Sequence, residues 1–445
     1  MLRWLPISAA LAILATAPSP AGAATGIGQA HETHGFVPRE VVLKLAGPHP
    51  ERVVHLRRGV GVHRAVASLR RDPGVAYAAP NYLATASALP DDPGPLSSPA
   101  SPGGWASLQW NFLPWEGTPT ATLPISPGGI DAVGAWRHLA EAGRGGARGI
   151  VVAVLDTGIA YRNMGHRFLR SPDFTDNQFA RGYDFVEDDS VPLDENGHGT
   201  HVAGTIAEKT DNGIGLTGLA YRAKLMPVRV LDRNGSGQAG DIARGIRFAV
   251  DHGAEVINMS FNFGCGKNVP GIEHELRYAY RHGVVTVASI GNLGSEACVS
   301  PPATGPRVIG VGGSTEGGCL GAYSLLPGKG VDVLAPGGGV PLAGCPSVSS
   351  RSIYQVTLKS GNPRRFGEPA SYIGTSMAAA HVSAVAAMVL ASGVIAKDAS
   401  PEGRVNRVLR RLQSTARDLG LPPNREGAGL IDAGKATDPE VGSPK

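Results

Sequence analysis

From Ile150 onward, short apolar runs rich in Val and Ile alternate with longer segments whose apolar residues recur at helical spacing. The runs at 150–155, 224–230, 255–261, 284–290, 307–311 and 331–334 are too short for helices and suit strands buried on both faces. Between them, Asp241 to His252 sets Ile242, Ile246, Phe248 and Ala249 at helical intervals and stops at Gly253. Ile272 to His282 stops at Gly283 in the same way, glycine being the common residue just past a helix end. The alternation predicts an α/β fold with a mainly parallel central sheet flanked by helices. Ligands of such sheets sit beyond the carboxyl ends of the strands, and Asp156 closes the run Val151 to Leu155 at such an end.

The first third of the chain has a different rhythm. Arg3, the apolar stretch Ile7 to Ala17 and the small residues Ala21-Gly22-Ala23 read as a secretory signal over 1–23. That stretch is shorter than the ~20 residues a membrane span requires, and Pro18 and Pro20 end it. A small α+β segment follows over 24–89: Glu40 to Leu45 is strand-like, Ala65 to Leu69 helix-like, and Val75 to Tyr77 a second strand after the breaker Asp72-Pro73-Gly74. Between Pro90 and Pro102 the composition shifts to Pro, Ser, Gly and Asp, so 90–127 is expected to be a linker and N-terminal extension ahead of a large domain at 128–445. Charge adds one exclusion. A net charge of +4 with no basic stripe and no interleaved aromatics argues against nucleic acid as a partner. No further segment is long and apolar enough to predict a membrane span in the mature chain.

Candidate chemistry lies in three segments. Asp156 precedes Thr157-Gly158, His198 opens His198-Gly199-Thr200-His201-Val202-Ala203-Gly204, and Ser376 lies in Gly374-Thr375-Ser376-Met377-Ala378. Each has a plainer reading, since Asp and Ser are common helix caps. His198 and His201 stand at i and i+3, a poor pair for a metal on a helix face, and His201 is expected to pack or hydrogen-bond in the core. Together the three supply what serine hydrolysis needs: a hydroxyl, a base to take its proton, and an acid to fix the tautomer of that base.

With the flanking residues of those motifs, the chain from about Gly128 to Ala436 resembles the subtilisin-like serine proteases, which carry Asp, His and Ser in this order. The resemblance implies a secreted serine endopeptidase, extracellular or periplasmic, in which Asp156 orients the base, His198 is base and then acid, and Ser376 is the nucleophile. Val287-Ala288-Ser289-Ile290-Gly291-Asn292 resembles the segment that ends in the oxyanion asparagine, so Asn292 and the Ser376 N–H are the implied oxyanion donors. Val256 to Phe261 resembles the strand edge that pairs with substrate. Ser260, Phe261 and Asn262, with Ser289, Ile290 and Gly291, are the implied substrate-binding residues. Where the family has two glycines after the residue matched by Phe261, this chain has Asn262 and Phe263, and where it has proline four residues after the nucleophile, Ala380. The longer connection before Gly374 holds Tyr354 to Lys359, an expected extra strand or hairpin near the cleft.

The 24–89 segment resembles the family's inhibitory propeptide, with release expected between Tyr82 and Leu89. Catalysis by this machinery requires no cofactor. Gly182 to Ser190 resembles a calcium loop of thermostable members, making Asp184, Glu187 and Asp189 the candidate metal ligands, although Val191 and Leu193 replace oxygen-bearing side chains. Four cysteines in an exported chain favour two disulfides; of three connectivities, Cys265–Cys298 is preferred because both follow segments assigned to the cleft, which leaves Cys319–Cys345. Polypeptides are the expected partners, with the propeptide as intramolecular inhibitor, and a monomer is expected. Two alternatives stay open: a non-catalytic peptide-binding scaffold on the same fold, and a variant that passes the acyl group to an amine.

Overall fold

Strand β4 (Val151–Asp156) shows why the central sheet is buried on both sides: Val152 and Val154 point into one apolar cluster and Ala153 and Leu155 into another. In the computed structural model β4 lies within a seven-stranded sheet of order β10-β9-β8-β7-β4-β6-β5. Its other strands are β5 (Tyr183–Asp184), β6 (Lys224–Arg229), β7 (Val256–Met259), β8 (Val285–Ser289), β9 (Val308–Ser314) and β10 (Val333–Pro336), and every pairing is parallel. The structure describes residues 36–82, 89–96, 103–116, 123–294, 298–324, 330–396 and 400–442. The expected signal segment 1–23 and the expected release region 83–89, apart from Leu89, lie outside them.

The chain divides into two compact units, 1–87 and 88–445. In the first, β1 (Phe36–Leu45) is the centre of an antiparallel sheet, flanked by β2 (Arg52–His55) and β3 (Val75–Tyr82). Helix α1 (Val62–Leu69) buries Val62, Ala65, Val66 and Leu69, an i, i+3, i+4, i+7 stripe, in a core with Val41, Leu43, Leu56 and Ala78. The unit is the expected α+β segment, with β2 as a strand that the apolar pattern did not disclose.

In the second unit the 90–127 stretch is no loose linker in its described parts. Trp105, Trp110 and Phe112 are fully buried, and the indole of Trp110 donates to the Ser352 carbonyl at 3.0 Å. The aromatic residues outweigh the Pro-rich composition, because burying one such ring removes 150–250 Å² from water. Five helices matter for the rest: α2 (Ala132–Glu141), α3 (His198–Ala207), α4 (Ala239–Asp251), α5 (Pro270–Arg281) and α6 (Thr375–Ser392). Helix α6 crosses one face of the sheet over β7 to β10, with α3 beside it; α4 and α5 cover the opposite face. Among the described residues α6 is long and apolar enough to cross a membrane, but it is a buried core helix. A last helix, α7 (Pro401–Thr415), starts at Ser400, whose hydroxyl accepts from the Gly403 N–H.

The strand order positions the site. After β4 the chain adds β6 on one side, then jumps back to add β7 on the other, so the order reverses around β4. Crevices form at such switch points, and Asp156 is the last residue of β4.

Candidate active site

Asp156 is fully buried, and its Oδ1 accepts from the Thr157 N–H at 2.8 Å and from His198 Nδ1 at 2.7 Å. That contact fixes the tautomer: Nδ1 carries the hydrogen, leaving Nε2 with the lone pair a base needs. His198 is the first residue of α3, with its side chain 25% exposed, so the ring is both held and reachable. Burial works against protonation of the imidazole, but the neighbouring Asp156 carboxylate, with its hydrogen bond, and that of Asp194 outweigh it and raise the pKa above 6.5. Only neutral His198 accepts a proton. kcat/KM should therefore climb with rising pH, with its half-rise above the ordinary histidine value of about 6.5. A profile with its midpoint below that value contradicts the pairing.

Ser376 stands in the first turn of α6, where helix amides lack intrahelical acceptors and the dipole favours negative charge. Its hydroxyl donates to the Ser260 carbonyl at 2.9 Å, while the Ser260 hydroxyl donates to the Ser376 carbonyl at 2.8 Å. Asn258 donates to Ser260 Oγ at 2.9 Å and accepts from Ser383 at 2.9 Å, so a buried polar chain ties the nucleophile to the end of β7.

Asn292 is exposed just beyond the end of β8. Its Oδ1 accepts from the Thr375 N–H at 2.8 Å and from the Thr375 hydroxyl at 2.9 Å. Two donors on the oxygen leave the amide nitrogen as the end presented outward, the polarity an oxyanion donor requires. Gly374 makes this possible: its φ is +142°, and a Cβ there would lie 3.0 Å from Asn292 Nδ2. Gly374→Ala should lower kcat by about 10²-fold through displacement of that donor, with KM less affected. Steady-state kinetics check it, and an unchanged kcat contradicts the placement.

The expected substrate-binding residues differ in exposure and in partners. Ser260 offers backbone at the end of β7, and Asn262 is exposed. Phe261 and Phe263 meet edge to face with centroids 6.4 Å apart, and the Phe263 N–H donates to the Pro301 carbonyl at 2.7 Å. Ser289 and Ile290 are fully buried, and the Ser289 hydroxyl donates to the Phe261 carbonyl at 3.3 Å. Gly291 is buried with that pair, and its N–H is directed to Thr375 Oγ1 at 3.3 Å. The disulfides are Cys265–Cys298 and Cys319–Cys345, the first bridging the two segments that carry these residues. The expected hairpin exists as β11 (Thr357–Leu358) paired with β12 (Phe366–Gly367), and Thr357 donates to the Gly197 carbonyl beside His198. His201 is a core residue: Nε2 meets the Ile353 carbonyl at 3.0 Å, the ring stacks on Tyr372, and burial pushes its pKa down to about 3.

The candidate metal ligands do not form a cation site. Asp184 Oδ2 accepts from Arg229 at 2.8 Å, and Oδ1 from the N–H groups of Val186 and Glu187 at 2.8 and 3.0 Å. The guanidinium takes the place of a cation, while Glu187 and Asp189 are exposed and Asp189 caps the Val191 N–H. Among the described residues no three His, Cys, Asp or Glu side chains form a group suited to a metal. Buried carboxylates lie elsewhere, at Asp92, Asp173 and Glu208; burial is the main cause that raises all three, and with Asp211 and Asp91 nearby it pushes Asp92 up to about 7. Among the described residues Asp92 Oδ2 has no hydrogen-bond partner.

Residues 147–429 match the sequence pattern of the Subtilase family. The chain belongs to the subtilase family. It is 35% identical over 332 residues to the thermophilic serine proteinase of Bacillus sp. strain AK1, covering 75% of this chain and 67% of that protein. Thermitase of Thermoactinomyces vulgaris is 35% identical over 267 residues, 60% of this chain and 82% of its own. A solved structure described as proteases from Pseudoalteromonas arctica superposes with a TM-score of 0.59 at 28% identity, covering 79% of this chain and 99% of that one. This subtilase is thus a serine endopeptidase of the subtilisin type, on the parallel α/β fold expected from its sequence. Sequence reading missed Thr375 as the group that orients Asn292, Asn258 and Ser383 behind Ser260, and Asp194 between the Asp156 and His198 segments. Of these, Asp194 had a visible signal, an acid just ahead of a Gly-flanked helix start.

Proposed function

We propose that this subtilase is an exported endopeptidase that cleaves polypeptides through an acyl-enzyme on Ser376 and matures by removing its own N-terminal unit. The observation that carries the reading is the Asp156–His198 contact at 2.7 Å, with Ser376 in the first turn of the helix that packs against the one His198 opens. The Ser376 hydroxyl turns from the Ser260 carbonyl to His198 Nε2, gives up its proton, and attacks the scissile carbonyl. The developing oxyanion is met by Asn292 Nδ2 and the Ser376 N–H. His198 then hands its proton to the departing amine, and a water molecule, deprotonated by the same imidazole, releases the acyl group. Every step uses side chains and backbone of this chain, and none is assigned to a metal or cofactor.

Export is supported by the signal-like start and by two disulfides, which persist in oxidising compartments. Self-processing is supported by the separate small unit ahead of the protease, whose strand β3 ends at Tyr82. In purified Ser376→Ala the N-terminal unit should stay covalently attached; its removal to the usual extent, read by intact mass, contradicts self-processing. Cleavage profiling of a peptide library with the mature enzyme, and Ser376→Ala as control, tests the hydrolytic reading. Equal cleavage by both contradicts it, no cleavage by either favours a binding scaffold, and amine-capped products favour acyl transfer.

A further inference from the structure

We infer that Asp194 is a positioning residue of the catalytic apparatus: one buried, ionised carboxylate that locks the Asp156 turn to the His198 turn and adds a second negative charge beside the base. This rests on the serine-protease reading of the site.

Asp194 lies four residues before His198 and is 1% exposed. Its Oδ1 accepts from the Thr157 hydroxyl and from the N–H groups of Asn196 and Gly197, each at 2.9 Å. Its Oδ2 accepts from the Thr200 N–H at 3.0 Å and the Thr200 hydroxyl at 2.6 Å. The protonation state follows from the partners. Three are backbone amides, which only donate. The Thr157 hydroxyl accepts from the Gly199 N–H at 2.9 Å and the Thr200 hydroxyl from the Ala160 N–H at 3.0 Å, so each turns its own hydrogen to Asp194. Five donors on two oxygens leave no seat for a proton.

The bonds run across the site. Thr157 is the neighbour of Asp156; Gly197 and Thr200 enclose His198. Through Asp194 and the two hydroxyls, the end of β4 and the start of α3 become one hydrogen-bonded unit. The 2.7 Å Asp156–His198 contact is therefore set by backbone geometry as well as by its own attraction. The charged and titratable groups around the imidazole are Asp156 on β4, Asp194 on the preceding loop, His201 one turn along α3, and Tyr372 ahead of α6 with its ring 6.5 Å away. His201 is neutral near pH 7, its pKa pushed down to about 3, and burial keeps the Tyr372 phenol protonated. That leaves two anions favouring the imidazolium formed in the reaction. The adjacent Glu195 is turned away to Arg229 and Arg167.

The test is Asp194→Asn in the full chain, followed by its kcat/KM against pH. The amide is nearly isosteric but places an NH2 against donors and removes the charge. The expected result is a loss of about 10²-fold, carried mainly by kcat, with the acid limb moved to lower pH. Thr200→Val keeps the charge and loses the two bonds of the hydroxyl, to Asp194 and from the Ala160 N–H, so its acid limb should stay at the wild-type position even if its Tm falls. Wild-type kcat and pH profile in Asp194→Asn, with only Tm lowered, overturn the inference, as does an equal limb shift in both variants. If Asp194→Asn does not fold, Thr157→Val carries the test: kcat should fall at temperatures where the variant is fully folded, even if its Tm is lower, and an unchanged kcat overturns the inference. Failure of the underlying reading is separable. A wild type whose activity survives Ser376→Ala sinks the triad itself, whereas a Ser376-dependent enzyme indifferent to Asp194 sinks only this assignment.

Discussion

Ser376→Ala should lower kcat by about 10⁶-fold while leaving the fold and peptide affinity in place, a magnitude adopted from subtilisin, prototype of this family, rather than calculated from this geometry. The fold survives because the hydroxyl makes one donated bond, to the Ser260 carbonyl, whereas the Ser260 hydroxyl continues to anchor the Ser376 backbone. His198→Ala should fall about as far, since the hydroxyl without a base is a poor nucleophile. The double variant should be little worse than either single one, because the two groups act as one unit and a second deletion removes nothing more. Additive losses would mean that serine and histidine serve separate reactions. The check is turnover of one chromogenic peptide by all three, with Tm recorded for each.

The second large effect belongs to Asn292. Asn292→Ala should reduce kcat by about 10²–10³-fold with KM nearly unchanged, again a range known from subtilisin itself. The split follows from geometry. The ground-state carbonyl needs little from the amide, whereas the tetrahedral oxyanion carries charge toward it and gains the full hydrogen bond. Thr375→Val should show a milder loss of the same kind. It removes the hydroxyl at 2.9 Å from Asn292 Oδ1 but leaves the backbone donor at 2.8 Å to hold the amide. A KM rise with kcat unchanged would place Asn292 in substrate binding instead.

The contrast between fold and fine placement has a physical source. Every strand of the central sheet except the two-residue β5 was legible, because parallel strands buried on both faces must be continuously apolar, as Val152 to Leu155 are. The candidate triad is legible because its chemistry restricts residue types and its flanking glycines mark close approaches. At Gly199 a Cβ would lie 2.1 Å from the Gly158 carbonyl oxygen. Other features were not. The stretch at 90–127 resembled a linker by composition, yet Trp105, Trp110 and Phe112 fix it in the core. Asp184 resembles a calcium ligand by its local sequence, yet its partner is Arg229, 45 residues away. Helix α7 carries a start signal, Ser400-Pro401-Glu402, but its mostly polar sequence hides the few buried positions. Partners distant in sequence decide what a carboxylate does, and one-dimensional spacing does not carry them.

The proposed mechanism makes Ser376 the nucleophile, activated by His198. Reacting the mature enzyme with a fluorophosphonate and mapping the adduct by peptide mass spectrometry tests it most directly. The expected result is one phosphonyl group on Ser376, loss of peptidase activity in proportion to labelling, and no adduct in His198→Ala. An adduct on a different residue, or full activity in enzyme labelled at Ser376, would contradict it.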